Sequence, residues 1–131
     1  DCLRGLGNVA RERGEHDRAK GFYERALPIY QEVGSLLGKA HCVRRLGDVA
    51  REQSKRDEAR CHYVAALELY RRFADPYTMA RCEQGLARLA KADSDPEQSR
   101  KHVDAARRHF QRINRPEKVA EIDEEFGQSP P

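Results

Sequence analysis

The sequence predicts an all-α fold: a right-handed α-solenoid of about three helix–turn–helix units followed by a C-terminal capping helix. Three observations support this prediction. Cysteines at positions 2, 42 and 82 stand forty residues apart, the segments around them repeat at the same spacing, and apolar residues within each segment recur at helical intervals. With 38% apolar residues, 36% charged residues and no Trp, the composition suits a thin stack of helices better than a thick core.

Each repeat has two halves, and both recur. In the first half, Arg4–Glu12 returns as Arg44–Glu52 and, with more substitutions, as Gln84–Ala92. In the second half, Asp17, Ala19, Tyr23, Ala26, Leu27 and Tyr30 have counterparts at Asp57, Ala59, Tyr63, Ala66, Leu67 and Tyr70. We therefore expect one solenoid domain over 1–127, with repeats at 1–35, 36–75 and 76–115, a closing helix at 116–127 and a disordered tail at 128–131.

The helices follow from the apolar periodicity and the breaks between them. First helices are predicted at 2–13, 37–53 and 76–92, second helices at 17–33, 57–73 and 96–113, and the closing helix at 117–126. Breaks are expected at Gly14, at Ser54 and at Asp93-Ser94. Because residue 1 already falls inside the first helix, about one turn is expected upstream, in a larger parent protein.

Helix starts are predicted from capping residues. Asp75-Pro76 and Asp95-Pro96 place a capping carboxylate before a Pro, whose missing N–H costs nothing in the first turn. Asp17 and Asp57 are expected to cap the first two second helices. Pro28, inside a predicted helix, should bend it or loosen one hydrogen bond.

Packing between the helices is predicted from residue size. Small residues such as Gly7 and Ala19 would let helices approach closely, while Leu6, Tyr23, Leu27 and Tyr30 would fill the gaps. The in-phase cysteines are interpreted as small buried packing residues with free thiols, because neighbouring helices lie too far apart for a disulfide.

The repeat resembles the tetratricopeptide repeat (TPR). The Leu6-Gly7 and Leu46-Gly47 pairs, the Ala four residues after each Leu, and the Ala-x3-Tyr-x2-Ala run of the second helix carry this resemblance over essentially the whole chain. The forty-residue unit is similar to the longer-helix subtype of the Pins/LGN spindle-orientation adaptors and of the sensor regions of bacterial and fungal signalling ATPases. The resemblance implies a non-enzymatic scaffold or signalling adaptor whose first helices line a concave, peptide-binding groove.

Polar residues opposite the packing stripe of the first helices are the candidate groove residues. The peptide-binding set is Arg4, Asn8, Arg11, His41, Arg44, Arg45, Asp48, Arg51, Arg81, Gln84, Arg88 and Lys91. In the Pins-like subtype an Asn at the position of Asn8 contacts the bound chain, and here Asp48 and Arg88 replace it in the later repeats. Because Arg presents a planar fork that matches a carboxylate, an acidic peptide or a free carboxyl terminus is the expected partner.

Recognition is expected to rest on the first two repeats, with Arg88 and Lys91 as an outer clamp. An alternative interpretation is that these side chains are only solvated charges, with Asp48 satisfied by Arg44 and Arg51 at helical spacing. Two further functions stay open: RNA or other nucleic-acid binding through the Arg-rich face, and a structural or oligomerisation arm that self-associates through the solenoid ends. Interleaved acidic residues disfavour nucleic acid, since the net charge is +3.

No enzyme, metal site or cofactor is predicted. The adjacent pairs His41-Cys42 and Cys61-His62 point about 100° apart on a helix and cannot chelate from one face. No Gly-rich phosphate loop or nucleophile elbow occurs. The lack of a membrane-spanning run predicts no membrane partner, and four unpaired cysteines favour an intracellular, cytoplasmic setting.

Overall fold

The computed structural model describes residues 2–73 and 75–127. These residues form seven α-helices and no strand: α1 Cys2–Glu12, α2 His16–Glu32, α3 Leu36–Glu52, α4 Arg56–Arg71, α5 Pro76–Ala92, α6 Pro96–Arg112 and α7 Pro116–Phe126. Each predicted helix is confirmed, with ends within about two residues of those expected. The predicted tail at 128–131 lies outside the described residues.

The chain divides into two compact units, which are described separately. Unit 1, Asp1–Phe73, contains α1 to α4, and unit 2, Ala74–Pro131, contains α5 to α7. In each unit, helices that follow one another along the chain pack together. The predicted organisation as one domain with three repeats stays a prediction.

Several helix ends follow the local signals. The Asp75 side chain accepts a hydrogen bond from the Thr78 N–H at 3.4 Å, and Asp95 accepts one from the Gln98 N–H at 3.2 Å. Both predicted caps are therefore confirmed. The expected breaks are also confirmed, because Gly14, Ser54 and Ser94 adopt φ values of 74°, 62° and 56° and turn the chain out of the preceding helix.

The capping role predicted for Asp17 and Asp57 is wrong. Both second helices begin earlier, and their N-cap residues, Glu15 and Lys55, make no side-chain capping bond. Gly14 and Ser54 have positive φ values, and the next helices begin two residues later, at His16 and Arg56. Asp17 and Asp57 therefore already lie inside the helices. Asp17 instead accepts a hydrogen bond from Gln53 Nε2 at 3.1 Å and ties α2 to the end of α3.

One core cluster of unit 1 forms where α3 packs against α2. Ala19 and Tyr23 of α2 are fully buried with Leu46 and Val49 of α3, and Ala10 of α1 joins the same cluster. α2 continues without interruption through Pro28. The small residues of α1 and α2 therefore pack as predicted, because they admit the large side chains beside them.

Two packing predictions for α1 are wrong. Leu6 is 48% exposed and does not fill an interhelical gap, and Cys2 is exposed although Cys42 and Cys82 are buried. Leu6 and Leu46 occupy the same repeat position, yet α3 has α2 before it in the chain, whereas no described helix precedes α1. All four cysteines are free, as predicted.

Unit 2 has its own core. Phe110 of α6 and Ile122 of α7 are fully buried together, and Tyr77 of α5 meets the Phe110 ring edge-on at a centroid distance of 5.7 Å. Arg107 of α6 reaches across to Asp123 of α7, with Nη2 and Nε at 2.5 and 3.0 Å from the carboxylate Oδ1. This ion pair and the apolar cluster hold α7 on α6.

Candidate peptide-binding pocket

A small polar cavity lies between α1 and α3 in unit 1. It has a volume of about 190 Å³, and we call it the basic pocket, defined by its lining residues Arg4, Asn8, His41, Arg44 and Arg45. All five belong to the predicted groove set. The structure therefore brings together residues from the first helices of two successive repeats.

Asn8 is held in the pocket by a buried tyrosine. The Tyr23 hydroxyl donates a hydrogen bond to Asn8 Oδ1 at 2.5 Å, and this bond restricts the orientation of the Asn8 amide. Burial raises the pKa of Tyr23 from 10.0 to about 12, so the hydroxyl remains a neutral donor near pH 7. With Oδ1 engaged, the amide N–H groups of Asn8 are the ones suited to a ligand oxygen.

A second buried tyrosine orients the opposite wall. The Tyr70 hydroxyl lies 2.6 Å from His41 Nδ1, and Arg44 Nε donates to the same oxygen at 3.4 Å. The Tyr70 side chain is fully buried in α4, so it gives both groups a rigid support. His41 and Arg44 thus reach the pocket with restricted rotamers, which lowers the entropy cost of binding.

The carboxylate of Asp48 lies close to Arg44 and Arg45. It is 8% exposed and accepts a hydrogen bond from the Tyr63 hydroxyl at 2.5 Å, while its Oδ2 lies 3.3 Å from Arg45 Nη1 and 3.9 Å from Arg44 Nη1. Asp48 was predicted to line the groove, but it does not line the basic pocket. It acts as the counter-charge of the arginine cluster.

The charges of the cluster are unevenly compensated. Burial lowers the pKa of Arg11, but the charges of Asp48 and of Glu52, its hydrogen-bonded partner, outweigh that effect, so the pKa of Arg11 is raised above its ordinary value. For Arg45 the balance is reversed: burial, followed by the neighbouring Arg44 charge, lowers its pKa below its ordinary value despite Asp48. Burial and the Arg44 charge thus outweigh the stabilisation that Asp48 gives to the charged form of Arg45.

Arg11 and Arg51 lie outside the basic pocket. Arg11 Nε donates to Glu52 Oε1 at 2.6 Å and connects α1 to α3, and Arg51 Nε donates to the Tyr63 hydroxyl at 3.2 Å. The alternative interpretation paired Arg51 with Asp48. In the structure Tyr63 stands between them and contacts both, which the helical spacing of Arg51 and Asp48 does not reveal.

The predicted groove residues of α5 belong to unit 2. Arg88 makes a two-pronged ion pair with Glu125 of α7, at 2.7 and 2.8 Å, and Lys91 Nζ donates to the Glu125 carbonyl at 3.4 Å. Gln84 is buried, and its Oε1 has no hydrogen-bond partner among residues 2–73 and 75–127, while Arg81 is half-buried. Their role as partner contacts stays a prediction.

Sequence reasoning missed the tyrosine hydroxyls. Tyr23 was predicted to fill a gap between helices, and Tyr63 and Tyr70 were noted only as repeat counterparts, but each hydroxyl contacts a polar residue of a first helix. One signal was present: Tyr, and not Phe, occupies these positions in the first two repeats, whereas Val103 and Phe110 take them in the third. A buried Tyr generally needs a hydrogen-bond partner.

Other kinds of site find little support. In the described ranges, no three His, Cys, Asp or Glu side chains are grouped so as to hold a metal ion. No described helix combines the length and the apolar character that crossing a membrane requires.

The comparisons with known proteins place the chain in a family. A tetratricopeptide repeat family model matches residues 2–72, more than half of the 131 residues. The chain belongs to the tetratricopeptide repeat family. TPR modules generally mediate protein–protein interactions and are typically non-enzymatic, and to that extent the predicted function is confirmed.

Solved structures support the TPR fold. The crystal structure of BtubC (BKLC) from P. vanneervenii matches with a TM-score of 0.84 and 22% sequence identity, over 95% of this chain and 52% of that one. At this identity the match concerns the fold, and the predicted class, an all-α solenoid of TPR-like repeats, is confirmed. The present chain spans about half the length of BtubC. A comparison with curated proteins finds no match.

Proposed function

We propose that this TPR chain is an interaction module that captures an acidic peptide, or a free carboxyl terminus, in the basic pocket between α1 and α3. The observation that carries the proposal is the convergence of Arg4, Arg44 and Arg45 on one cavity, with Asn8 and His41 completing its walls. Guanidinium groups bind carboxylates through paired hydrogen bonds, and Asn8 adds an amide donor.

The electrostatics support the same ligand. Burial and the neighbouring Arg44 charge disfavour the charged form of Arg45 more than Asp48 favours it. A partner carboxylate in the pocket would relieve this repulsion, and the gain would be large because Arg44 and Arg45 are already largely desolvated. The tyrosine supports keep the pocket preorganised, so little free energy is spent on ordering it.

The first test measures binding of defined peptides by fluorescence anisotropy. The probe is a labelled dodecapeptide of Glu, Ser and Ala with a free carboxyl terminus, and it is compared with a version in which Gln replaces Glu and the terminus is amidated. Arg4→Gln and Arg45→Gln should each raise Kd about tenfold, because each removes one charged hydrogen-bond donor to the carboxylate. Circular dichroism should show unchanged helix content.

Arg25→Gln is the matched control, since it removes the same charge from an exposed position on α2. Its Kd should stay within about twofold of the parent, as expected for a screened surface charge. Equal binding of the Gln peptide, or an equal loss in Arg25→Gln, would contradict the proposal. Salt-sensitive binding of a labelled single-stranded RNA with no peptide binding would favour a nucleic-acid partner instead.

A further inference from the structure

We propose that unit 2 carries a second peptide site, distinct from the basic pocket, which receives a large apolar side chain flanked by carboxylates. The site is a cavity of about 550 Å³ bounded by the end of α5, the N-terminal half of α6 and the end of α7. We call it the α6 pocket. Its volume falls in the range of pockets that enclose small ligands and side chains.

The α6 pocket exists because the third repeat departs from the first two. Val103 stands at the position of Tyr23 and Tyr63, and Ser99 at that of Ala19. In unit 1 the Tyr23 ring packs against Gly7 of α1, its hydroxyl is bound to Asn8, and the side chain is fully buried. Replacing an aromatic ring with an isopropyl group leaves an unfilled volume beside α6.

The length of α7 contributes as well. The first helices α3 and α5 have 17 residues, but α7 has 11 and ends at Phe126. In unit 1 the C-terminal half of α3 places Val49 against Ala19 and Tyr23. Since α7 ends where that half would begin, α7 does not cover the N-terminal half of α6. Pro96 and Phe126 line the cavity there, together with Val103, which is 6% exposed and belongs to the core of unit 2.

The charged residues that line the α6 pocket indicate which ligand it would bind. Asp95 is engaged as the cap of α6, and Asp104 pairs with Arg107, whose guanidinium also binds Asp123. Arg100, in contrast, forms no hydrogen bond or ion pair with any residue that the structure describes, and Lys91 Nζ lies 5.7 Å from the centre of the Phe126 ring. Two cations beside an apolar floor favour an aromatic or large aliphatic side chain next to carboxylates.

The test uses labelled decapeptides with a Gly-Ser background and a central Glu-Phe-Glu, Gln-Phe-Gln or Glu-Ala-Glu. Glu-Phe-Glu should bind, and each of the other two should bind about tenfold more weakly, since one lacks the charges and the other lacks the buried ring. Methyl resonances of Val103 should shift on addition of Glu-Phe-Glu.

Variants locate the site and separate it from the proposed function. Arg100→Gln should raise Kd for Glu-Phe-Glu about tenfold, whereas Arg108→Gln, which removes the same charge from another exposed position of α6, should leave it unchanged. The pair Ala87→Gly with Val103→Tyr restores the residues of the first two repeats, fills the cavity and should abolish binding.

All Kd values for the α6 pocket are measured with peptides amidated at the carboxyl terminus and in the Arg4→Gln background, which weakens the basic pocket. Absence of Glu-Phe-Glu binding in that background would overturn the second site and leave the first intact. Equal binding of Glu-Ala-Glu, no binding of Glu-Phe-Glu at millimolar concentration, or an unchanged Kd in Arg100→Gln would also overturn it. Failure of the basic-pocket experiment has no bearing on these outcomes, because the two sites share no residue.

Discussion

The Tyr23 ring packs so closely against α1 that only glycine fits at position 7. A Cβ at position 7 would stand 2.7 Å from Tyr23 Cε1, and the ring cannot move away freely because its hydroxyl is bound to Asn8. Gly47 and Tyr63 repeat this arrangement at 3.0 Å. The third repeat changes both positions at once, to Ala87 and Val103, as expected if the glycine is required only where the tyrosine is present.

Gly7→Ala is therefore expected to destabilise the protein, although Ala is the better helix former. The clash with the Tyr23 ring should cost about 1–3 kcal/mol, measured as the free energy of unfolding in guanidinium chloride. Gly5→Ala is the matched control, because nothing lies within 4 Å of a Cβ there. It should stabilise the helix by about 0.5–1 kcal/mol.

A double-mutant cycle tests the coupling directly. In a Tyr23→Val background, which imitates the third repeat, Gly7→Ala should no longer be destabilising, and the coupling energy should be at least about 1 kcal/mol. Additive effects of the two substitutions would contradict the proposed dependence of Gly7 on Tyr23.

Among the elements, α1 and α3 have almost the same sequence but different surroundings. Leu46 and Val49 of α3 are 5% and 1% exposed against α2, whereas Leu6 and Val9 of α1 are 48% and 46% exposed. Both segments form helices, because the apolar periodicity is a local property of the sequence. Burial depends on whether another helix lies on the same face.

This difference predicts unequal costs for the same substitution. Leu46→Ala should lower the free energy of unfolding by about 2–4 kcal/mol, since it leaves a cavity between α2 and α3. Leu6→Ala removes the same atoms from a half-exposed site and should cost less than about 1 kcal/mol. Chemical denaturation followed by circular dichroism measures both, and equal costs would show that Leu6 is covered in solution.

At the scale of the whole molecule, buried tyrosine hydroxyls distinguish unit 1 from unit 2. Burial raises the pKa of Tyr23 to about 12, and burial together with the Asp48 charge raises that of Tyr63 further. In unit 2 the same repeat position holds Val103, and Phe110 replaces the Tyr70 position. Alkaline pH should therefore act mainly on residues 2–73.

The sign of this pH dependence follows from proton linkage. The folded pKa of Tyr23 exceeds its ordinary value of 10.0, so the folded state binds more protons, and the related stability is full below pH 10. It is lost as pH rises from 10 through about 12. Unfolding midpoints in guanidinium chloride should fall over this range, while the tyrosinate absorbance at 295 nm rises.

Tyr63→Phe provides the comparison. The variant loses the hydrogen bond to Asp48 and should be less stable at pH 8, but its stability should decline less steeply above pH 10 because one titrating group is absent. Parallel pH profiles for parent and variant would show that Tyr63 does not contribute to the alkaline loss.

Much of the local structure was predictable. The breaks at Gly14, Ser54 and Ser94 and the caps at Asp75 and Asp95 depend on conformational preferences within a few residues, and all of them are present. The candidate site was predictable in part: Arg4, Asn8, His41, Arg44 and Arg45 share one pocket, as their repeat positions suggested. The contacts of the other predicted groove residues could not be predicted, because they depend on side chains from other helices.

The sequence by itself determined the helices, their order and the TPR repeat, because helix periodicity and capping depend on residues close in the chain. The tertiary structure alone decided which copy of a repeated residue is buried and which arginine is already engaged. Leu6 and Leu46 differ in exposure, and Arg11 is bound to Glu52 while Arg45 remains under-compensated. Burial and charge balance depend on side chains that are distant in the sequence, such as Tyr23 for Leu46 and Glu52 for Arg11, so similar local sequences acquire different surroundings.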